Sequence, residues 1–539
     1  MKTIRWTIAL SLLLGGAVEM ARAQEAVTDE ALFRDAIQTL ASDEFGGRKP
    51  LSVHEKLTVD YIADRFKSLG LSPGNDGSYF QPVPLLTVGT QIRKNEIAVS
   101  GRKGSATLKP LSDFILWSHR TDRNIRLAKA EYVFVGFGIN APEYGWNDYE
   151  GIDMKGKIAV ILVNDPGYYD DNLFRGKNMT YYGRWTYKFE EANRQGAAGA
   201  FVIHDTGPAS YDWTVVQNSW AGKNLGLYSD REVLAFKGWL SNDATKLLFD
   251  KAGSSYDQSF AAAQKKGFKS FTLALRSTIE LTNDARIENS SNVAGLIPGT
   301  DLKDEYIIYS AHWDHFGIGI TIDGDSIYNG ASDNASGVAG LMVIANRFNQ
   351  LPQRPRRSIL FLALTGEESG LLGAEYYATH PIFPVAKTVI NLNMDSYAPR
   401  HRTRDIVLGG AGESDTDNYV IEAAATQGRS VRVPASQTSG GYFRADHFSF
   451  AKAGIPVVVA SGGNDYLDPA GVEEQNVTLG QRSNYHKPSD EYHSWWNVGG
   501  SLDDIYLLYG IGLRLSNDGY FPKWNEGVPF KKVREESLK

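Results

Sequence analysis

The stretch EYIIYSAHWDH, at residues 305–315, joins a run of apolar residues to a group of polar ones. Its first half has the length and the β-branched and aromatic content of a buried strand. Its second half places two histidines and an aspartate directly after that strand. Open α/β sheets bind their ligands at the carboxyl ends of the strands, so this stretch predicts an α/β fold with a site at residues 312–315.

The same pattern recurs along the C-terminal half of the chain. Short apolar runs alternate there with helical patterns, and strands are predicted at residues 292–297, 305–310, 358–365, 388–393 and 455–460. This alternation predicts an α/β fold with a doubly wound, mostly parallel sheet and helices on both faces. Helices are also predicted at residues 29–40 and 53–70, before this region begins.

Residues between these two parts have a different pattern. Short β runs at residues 96–100, 131–135 and 157–163 are separated by Gly, Pro and Asn turns, and a helix near 189–195 precedes a strand at 200–204. We therefore predict one α/β domain split into residues 24–89 and 286–539. A β-rich insert at residues 90–285 interrupts it.

The composition limits the available chemistry. The 539 residues are 42% hydrophobic and 22% charged, which is typical of a globular protein and excludes general disorder. The chain has no cysteine, so disulfides, thiolate metal sites and a cysteine nucleophile are excluded. Any metal must be held by His, Asp and Glu. The formal charge of −7 argues against a nucleic acid partner.

The N-terminus has the pattern of a secretory signal peptide at residues 1–23. Lys2 and Arg5 precede an apolar stretch at residues 7–18, and Ala21-Arg22-Ala23 is a cleavage pattern. Export without disulfides predicts a periplasmic or secreted bacterial protein. No second long apolar run follows, so no membrane association is expected after cleavage. The sequence does not predict an oligomeric state.

Six candidate site residues lie at the ends of these strands, at the start of a helix or in the last loop. They are His312, Asp333, Glu367, Glu368, Asp395 and His486. Two ions about 3.5–4 Å apart that share one bridging carboxylate need five protein ligands. The remaining carboxylate would then be free to act as a general base.

Five motifs contain these residues. They are Ser310-Ala-His-Trp-Asp314, Gly330-Ala-Ser-Asp-Asn-Ala-Ser-Gly337, Thr365-Gly-Glu-Glu368, Asn393-Met-Asp395 and His486-Lys-Pro-Ser-Asp490. The motifs resemble those of the co-catalytic di-zinc exopeptidase family, which includes bacterial secreted leucyl-type aminopeptidases and glutamate carboxypeptidase. The resemblance includes the order and spacing of all six positions, and it implies the zinc exopeptidase fold.

The resemblance also implies two zinc ions, one of which another divalent metal could replace. One ion would be held by His312, Asp333 and Asp395. The other would be held by Asp333, Glu368 and His486, so that Asp333 bridges the two. His315, an additional imidazole beside the first ligand, departs from the family pattern.

Three further roles follow from the resemblance. Glu367 would be the general base. Asp314 would orient the imidazole of His312 without binding the metal itself. Tyr442, four residues before Asp446, falls where the aminopeptidases place a tyrosine that stabilises the oxyanion.

The insert contains the motifs Val133-Phe-Val-Gly-Phe-Gly138, Asn140-Ala-Pro-Glu-Tyr-Gly145, Lys155-Gly-Lys-Ile-Ala-Val160 and Gln195-Gly-Ala-Ala-Gly-Ala-Phe-Val202. In these motifs it resembles a protease-associated domain. Exopeptidases of the family often carry this domain as a lid beside the cleft. Its aromatic and basic loop at residues 179–184 is expected to face the substrate.

We therefore expect a zinc-dependent aminopeptidase that acts on peptides with a free N-terminus. Three alternatives stay open on the same scaffold. They are a carboxypeptidase of the glutamate carboxypeptidase type, a glutaminyl cyclase with a single zinc ion, and a receptor-like protein without catalysis. The sequence does not predict which side chain is preferred at the cleaved residue.

Overall fold

The computed structural model describes residues 29–231, 233–434, 437–479 and 484–539. The predicted signal peptide at residues 1–23 lies outside these ranges. Within them, no helix is both long enough and apolar enough to cross a membrane.

Two helices and two strands precede the insert, and both predicted helices are confirmed. They are α1 (29–40), α2 (Glu55–Ser68), β1 (Ser72–Pro73) and β2 (Phe80–Ile92). Val59, Ile62 and Phe66 of α2 recur every three or four residues and are buried. They share a core with residues of the predicted domain at 24–89 and 286–539, which is called the catalytic region below.

The insert contains helices as well as strands. Its strands are β3 (Ile97–Gly101), β4 (Gly104–Leu108), β5 (Phe114–Trp117), β6 (Asn124–Phe134), β7 (Asn140–Ala141), β8 (Trp146–Asn147), β9 (Ile158–Leu162), β10 (Phe174–Lys177), β11 (Gly199–Ile203), β12 (Lys223–Leu227) and β13 (Phe236–Leu240). Its helices are α3 (Trp185–Arg194), α4 (Thr206–Ala209), α5 (Trp213–Trp220), α6 (Asn242–Ala252) and α7 (Tyr256–Ala263). Strands β6, β9, β11 and β13 are parallel, and separate hydrophobic clusters cover the two faces of this sheet.

One long strand, β14 (Phe271–Ile297), connects the insert to the catalytic sheet. It pairs antiparallel with β6 near its start, with β2 through Leu281–Val293 and with β18 (Arg357–Leu364) at its end. Because β2 and β14 run through the predicted boundaries near residues 89 and 286, backbone hydrogen bonds join the two parts there. The division into domains stays a prediction.

The remaining elements belong to the catalytic region. Its other strands are β15 (Leu302–His312), β16 (Gly317–Ile322), β17 (Asp325–Tyr328), β19 (Thr388–Asn393), β20 (Asp405–Gly409), β21 (Ser430–Arg432) and β22 (Val457–Gly462). Its helices are α8 (Ser336–Asn349), α9 (Leu372–Thr379), α10 (Thr416–Thr426), α11 (His447–Lys452), α12 (Pro469–Thr478), α13 (Gly499–Leu515) and α14 (Pro529–Ser537).

The catalytic sheet is mixed, with a parallel centre. Strands β18, β15, β19 and β22 are neighbours and run parallel, whereas β14 and β20 lie antiparallel at either side. Along β15, Ile307 and Tyr309 belong to the core on one face, and Ile308 belongs to the core on the other. Both faces are therefore covered, and the predicted α/β fold with a mostly parallel sheet is confirmed.

Candidate metal centre

Three neighbouring parallel strands deliver most of the predicted ligands to one edge of the sheet. His312 is the last residue of β15, Glu367 and Glu368 follow β18, and Asp395 follows β19. Because β15 lies between β18 and β19 with all three parallel, their carboxyl ends meet at the same edge. The structure brings these four side chains together there.

Asp333 reaches the same place from an irregular turn before α8. Asp333 and Asn334 have non-helical backbone angles, and the peptide bond between them is cis. The carboxylate of Asp490 accepts hydrogen bonds from the backbone N–H groups of Ser332 and Asp333, both at 3.0 Å. Asp490, the last residue of the His486 motif, therefore holds the backbone of the predicted bridging ligand.

The predicted ligand atoms form two triads that share Asp333. Nε2 of His312 lies 3.3 Å from Oδ1 of Asp333 and 3.5 Å from Oδ1 of Asp395. Nε2 of His486 lies 3.4 Å from Oδ2 of Asp333 and 3.2 Å from Oε2 of Glu368. Ligand atoms placed tetrahedrally around an ion at about 2.0–2.1 Å are separated by about 3.3–3.4 Å. The donor sets therefore fit divalent ions, although each residue's role as a ligand stays a prediction.

Two further groups of three residues, with no residue in common, also have ligand atoms within 4.8 Å of one another. They are His312, Glu367 and Asp395, and His315, Asp333 and Glu368. The first places the predicted base Glu367 beside one triad. The second places His315 beside the other.

His315 contacts the site in a way that sequence reasoning did not assign. Its Nδ1 lies 2.7 Å from Oε1 of Glu368, while the other oxygen of that carboxylate faces His486. The His315 side chain is buried, and its Nε2 has no hydrogen-bond partner among the described residues. The sequence feature that could have indicated this contact is the position of His315, three residues after the predicted ligand His312.

Asp314 touches His312 through its backbone. Nδ1 of His312 is 3.1 Å from the main-chain oxygen of Asp314, and the carboxylate oxygen is 3.8 Å away. The Asp314 carboxylate instead accepts the backbone N–H groups of Glu367 at 3.0 Å and Glu368 at 3.4 Å. Asp314 thus fixes the start of the segment that carries the predicted base and a predicted ligand.

Negative charge dominates the electrostatics of the site. Burial alone would lower the pKa of His312, but Glu367, Asp333 and Asp395 outweigh burial and raise that pKa well above its usual value. Burial also raises the pKa of Glu367 well above its usual value; the positive charge of His312 opposes this shift and the carboxylate of Asp395 reinforces it. A divalent cation would be attracted to such an excess of carboxylates.

Tyr442 is buried beside this region. Burial raises its pKa, and the charged groups that act most strongly on its hydroxyl are Glu413, Arg175 and Asp417. Arg175 comes from the insert and forms an ion pair with Glu413. None of the six predicted metal-site residues is among these charged groups. The oxyanion role of Tyr442 stays a prediction.

The aromatic loop of the insert lies against the segment that carries Tyr442. The backbone N–H of Met179 donates to the carbonyl of Gln437 at 3.3 Å, and Tyr181 packs edge-on against Phe448. A Cβ at Gly440 would lie 2.5 Å from the Met179 sulfur, so the two segments approach closely. The predicted loop at residues 179–184 thus contacts the catalytic region next to Tyr442.

The fold, the clustered imidazoles and carboxylates, and the sequence comparison all point to the metallopeptidases as the class of protein to which this chain is similar. The sequence model of peptidase family M28 matches residues 292–505 of this chain. Most of the catalytic sheet and all six predicted metal-site positions fall within the matched residues.

Two curated relatives and one solved structure illustrate the similarity. Aminopeptidase YwaD of Bacillus subtilis is 24% identical over 325 residues, which are 59% of this chain and 57% of that protein. The glutamate carboxypeptidase 2 homolog of Caenorhabditis elegans is 25% identical over 411 residues, 65% of this chain and 48% of that protein. The chain thus spans about half the length of these relatives. An aminopeptidase structure from Aneurinibacillus sp. strain AM-1 aligns over 91% of this chain and 95% of its own, with 19% identity and a TM-score of 0.47.

Proposed function

We propose that this chain is a zinc-dependent aminopeptidase that removes N-terminal residues from peptides through a two-metal site. The observation that carries the proposal is the position of Asp333, which turns Oδ1 towards His312 and Oδ2 towards His486. A carboxylate shared in this way suits a pair of ions better than one. The similarity to YwaD, which is named an aminopeptidase, supports the choice of substrate.

Two zinc ions, when bound, would polarise the scissile carbonyl and lower the pKa of a water molecule towards about 7. His312, Asp333, Asp395, Glu368 and His486 would hold them.

The remaining residues would act on the proton and on the substrate. Glu367, whose pKa is raised by burial, would accept the proton of the attacking water and pass it to the leaving amine. Asp314 would keep Glu367 in place through the backbone N–H that it accepts. Tyr442 would donate a hydrogen bond to the oxyanion of the substrate.

The proposal includes the remaining parts of the chain. Residues 1–23 would direct export to the periplasm or the medium, and the mature enzyme would act on peptides there. Residues 90–285 would form a protease-associated domain beside the cleft, with the loop at residues 179–184 near the substrate.

The test compares aminoacyl-arylamides with their N-acetylated counterparts, with and without a chelator. We expect hydrolysis of the free-amine substrates, loss of activity on chelation, and recovery that is complete with two equivalents of zinc. N-acetylation should abolish cleavage because the proposed site requires a free N-terminus.

Three other results would each contradict the proposal. Release of C-terminal residues from N-acetylated peptides would identify a carboxypeptidase. Ammonia released from N-terminal glutamine with one equivalent of zinc would identify a cyclase. Zinc-loaded protein without any hydrolysis would indicate a receptor-like role.

A further inference from the structure

A short N-terminal segment lies against the metal centre, although it is outside the residues that match the peptidase family. Residues Asp43–Arg48 form a 3-10 turn soon after α1. The last residue of this turn, Arg48, is 0% exposed. An arginine is rarely buried to this extent unless its guanidinium has specific partners, so its contacts indicate what it does.

The guanidinium of Arg48 donates to four main-chain carbonyl oxygens. Nε donates to Trp313 at 2.8 Å, Nη2 to Gly330 at 2.7 Å, and Nη1 to Leu40 at 2.7 Å and to Asn329 at 2.5 Å. Trp313 directly follows the ligand His312. Asn329 and Gly330 begin the turn that leads to Asp333. The side chain of Arg48 therefore joins two loops. One begins at His312, the last residue of β15, and the other precedes α8 and carries the predicted bridging ligand Asp333.

The backbone of the segment is shaped for this approach. Gly47 has a φ of +65°, and a Cβ there would lie 2.5 Å from the carbonyl oxygen of Tyr328. Arg48 itself has a φ of 50°, a left-handed conformation that is unfavourable for a residue other than glycine. The side chain of Asn329 donates back to the carbonyl of Ala41 at 2.9 Å, so the contact is made from both sides.

Arg48 also places a positive charge among the carboxylates. Burial lowers its pKa to about 10, against the opposing effect of Asp490, Asp314, Asp333 and Glu368. At neutral pH the guanidinium is therefore still charged. Its charge offsets part of the repulsion between carboxylates that must lie close together to hold metal.

We propose that Arg48 is a positioning residue of the metal centre, which keeps the loops of His312 and Asp333 at the separation that metal binding requires. This inference rests on one part of the proposed function, namely that the site binds zinc. Arginine suits the role better than lysine, because its planar guanidinium has five donors in a fixed geometry and four carbonyls are engaged here. Loss of this side chain should weaken zinc binding before it affects the rest of the fold.

The test measures zinc affinity of the full-length chain by competition with a chromogenic chelator, for wild type, Arg48→Met and Arg48→Lys. Outer partners of metal ligands typically contribute about 10–100-fold to affinity, so Arg48→Met should bind zinc at least tenfold more weakly. Arg48→Lys keeps the charge but has three donors, and it should recover part of that loss. The melting temperature of each metal-free variant is measured in parallel.

Arg357→Met is the matched control. Arg357 is also 0% exposed and donates to the carbonyls of Leu515 and Tyr520, at 2.6 and 2.9 Å. It begins β18, whereas the ligands follow the other end of that strand, about 23 Å away at about 3.3 Å per residue. Its loss should lower the melting temperature and leave zinc affinity within twofold of wild type.

The proposal would be overturned if Arg48→Met bound zinc within twofold of wild type, or if Arg357→Met lost as much zinc affinity as Arg48→Met. If Arg48→Met does not fold, Arg48→Lys decides: wild-type affinity in that folded variant would also overturn it. These results are independent of the peptidase assay. A wild-type protein that binds zinc but cleaves no peptide would remove the proposed function and leave the affinity comparison valid.

Discussion

Two groups of buried polar residues differ in whether their polar atoms have partners within the protein. The insert cluster consists of Asp148, Asn164, Asp165 and Lys188, none of which is more than 2% exposed. The site cluster consists of His312, His315 and Asp446, which are at most 1% exposed. Both clusters are removed from water to the same extent.

In the insert cluster, every polar side-chain atom has at least one hydrogen-bond partner. The two carboxylate oxygens of Asp165 accept from the backbone of Gly167 and from both the backbone and the hydroxyl of Thr180. Lys188 donates to the carbonyl of Asn164 at 2.8 Å. Asp148 accepts from the indole of Trp146 at 2.8 Å and from a backbone N–H. Such a cluster supports the fold without any ligand.

The site cluster is not satisfied in the same way. Within the described residues, Nε2 of His312, Nε2 of His315 and both carboxylate oxygens of Asp446 have no hydrogen-bond partner. A buried polar group left without a partner costs about 1–3 kcal/mol. Burial alone therefore does not separate a structural cluster from a functional one. Several unpartnered atoms gathered among the predicted ligands do, because a bound ion would supply the partner that the described residues lack.

Glu367→Gln should have the largest effect on catalysis. The amide cannot accept the proton of the attacking water, and we expect kcat on an aminoacyl-arylamide to fall by about 10³-fold or more, close to the upper range for general base catalysis. Zinc content should be unchanged, because Glu367 is the carboxylate that the proposed ligand set does not use. Steady-state kinetics and metal analysis of the purified variant measure both.

Glu280→Gln in the insert is the control for this substitution. Glu280 forms ion pairs with Arg126 and Arg93 away from the ligand-bearing strand ends, and its loss should leave kcat unchanged. Near wild-type turnover of Glu367→Gln would show that another group is the base.

The clustering of the predicted ligands at the strand ends could be inferred from the sequence, because two local signals coincide in these residues. His312, Glu368 and Asp395 each follow an apolar run of strand length, and each is a residue type that binds metal. The order of the parallel strands then brings them together. The fold class and the predicted ligand positions both depend on the alternation of apolar strand-length runs with helical patterns. This alternation is visible in a single sequence.

Arg48 could not be predicted, for a physical reason. Its partners are main-chain carbonyls, one of them 265 residues away, and every residue carries a carbonyl. No side-chain pattern therefore marks the contact. The same reason applies to Asp314, whose carboxylate binds backbone N–H groups of Glu367 and Glu368 rather than the imidazole that the motif suggests.

Lys188→Met should mainly affect stability. It removes the hydrogen bond to the carbonyl of Asn164 and the positive charge that acts on the carboxylates of Asp165 and Asp148, and a buried polar group left without its partner costs about 1–3 kcal/mol. We expect the free energy of unfolding in urea to fall by about 1–3 kcal/mol, with zinc affinity of the folded protein unchanged. Lys246→Met, on the exposed side of α6, is the control and should change the free energy of unfolding by less than about 0.5 kcal/mol.

A stability loss in Lys188→Met no greater than in Lys246→Met would contradict the interpretation of the insert cluster. Loss of zinc affinity without loss of stability would also contradict it, because the insert cluster would then serve the site.

Asp446→Asn should have the smallest effect on stability, and of opposite sign. Burial raises the pKa of Asp446 to about 8, and its two oxygens have no hydrogen-bond partner in the part of the chain that the structure describes, so the native state gains nothing from the charge. Because the amide has the same shape and no charge to bury, the metal-free variant should unfold at equal or higher urea concentration, with a gain of up to about 1 kcal/mol. A loss comparable to that of Lys188→Met would mean that Asp446 is satisfied within the protein, and unpartnered atoms would then no longer distinguish the site cluster from the insert cluster.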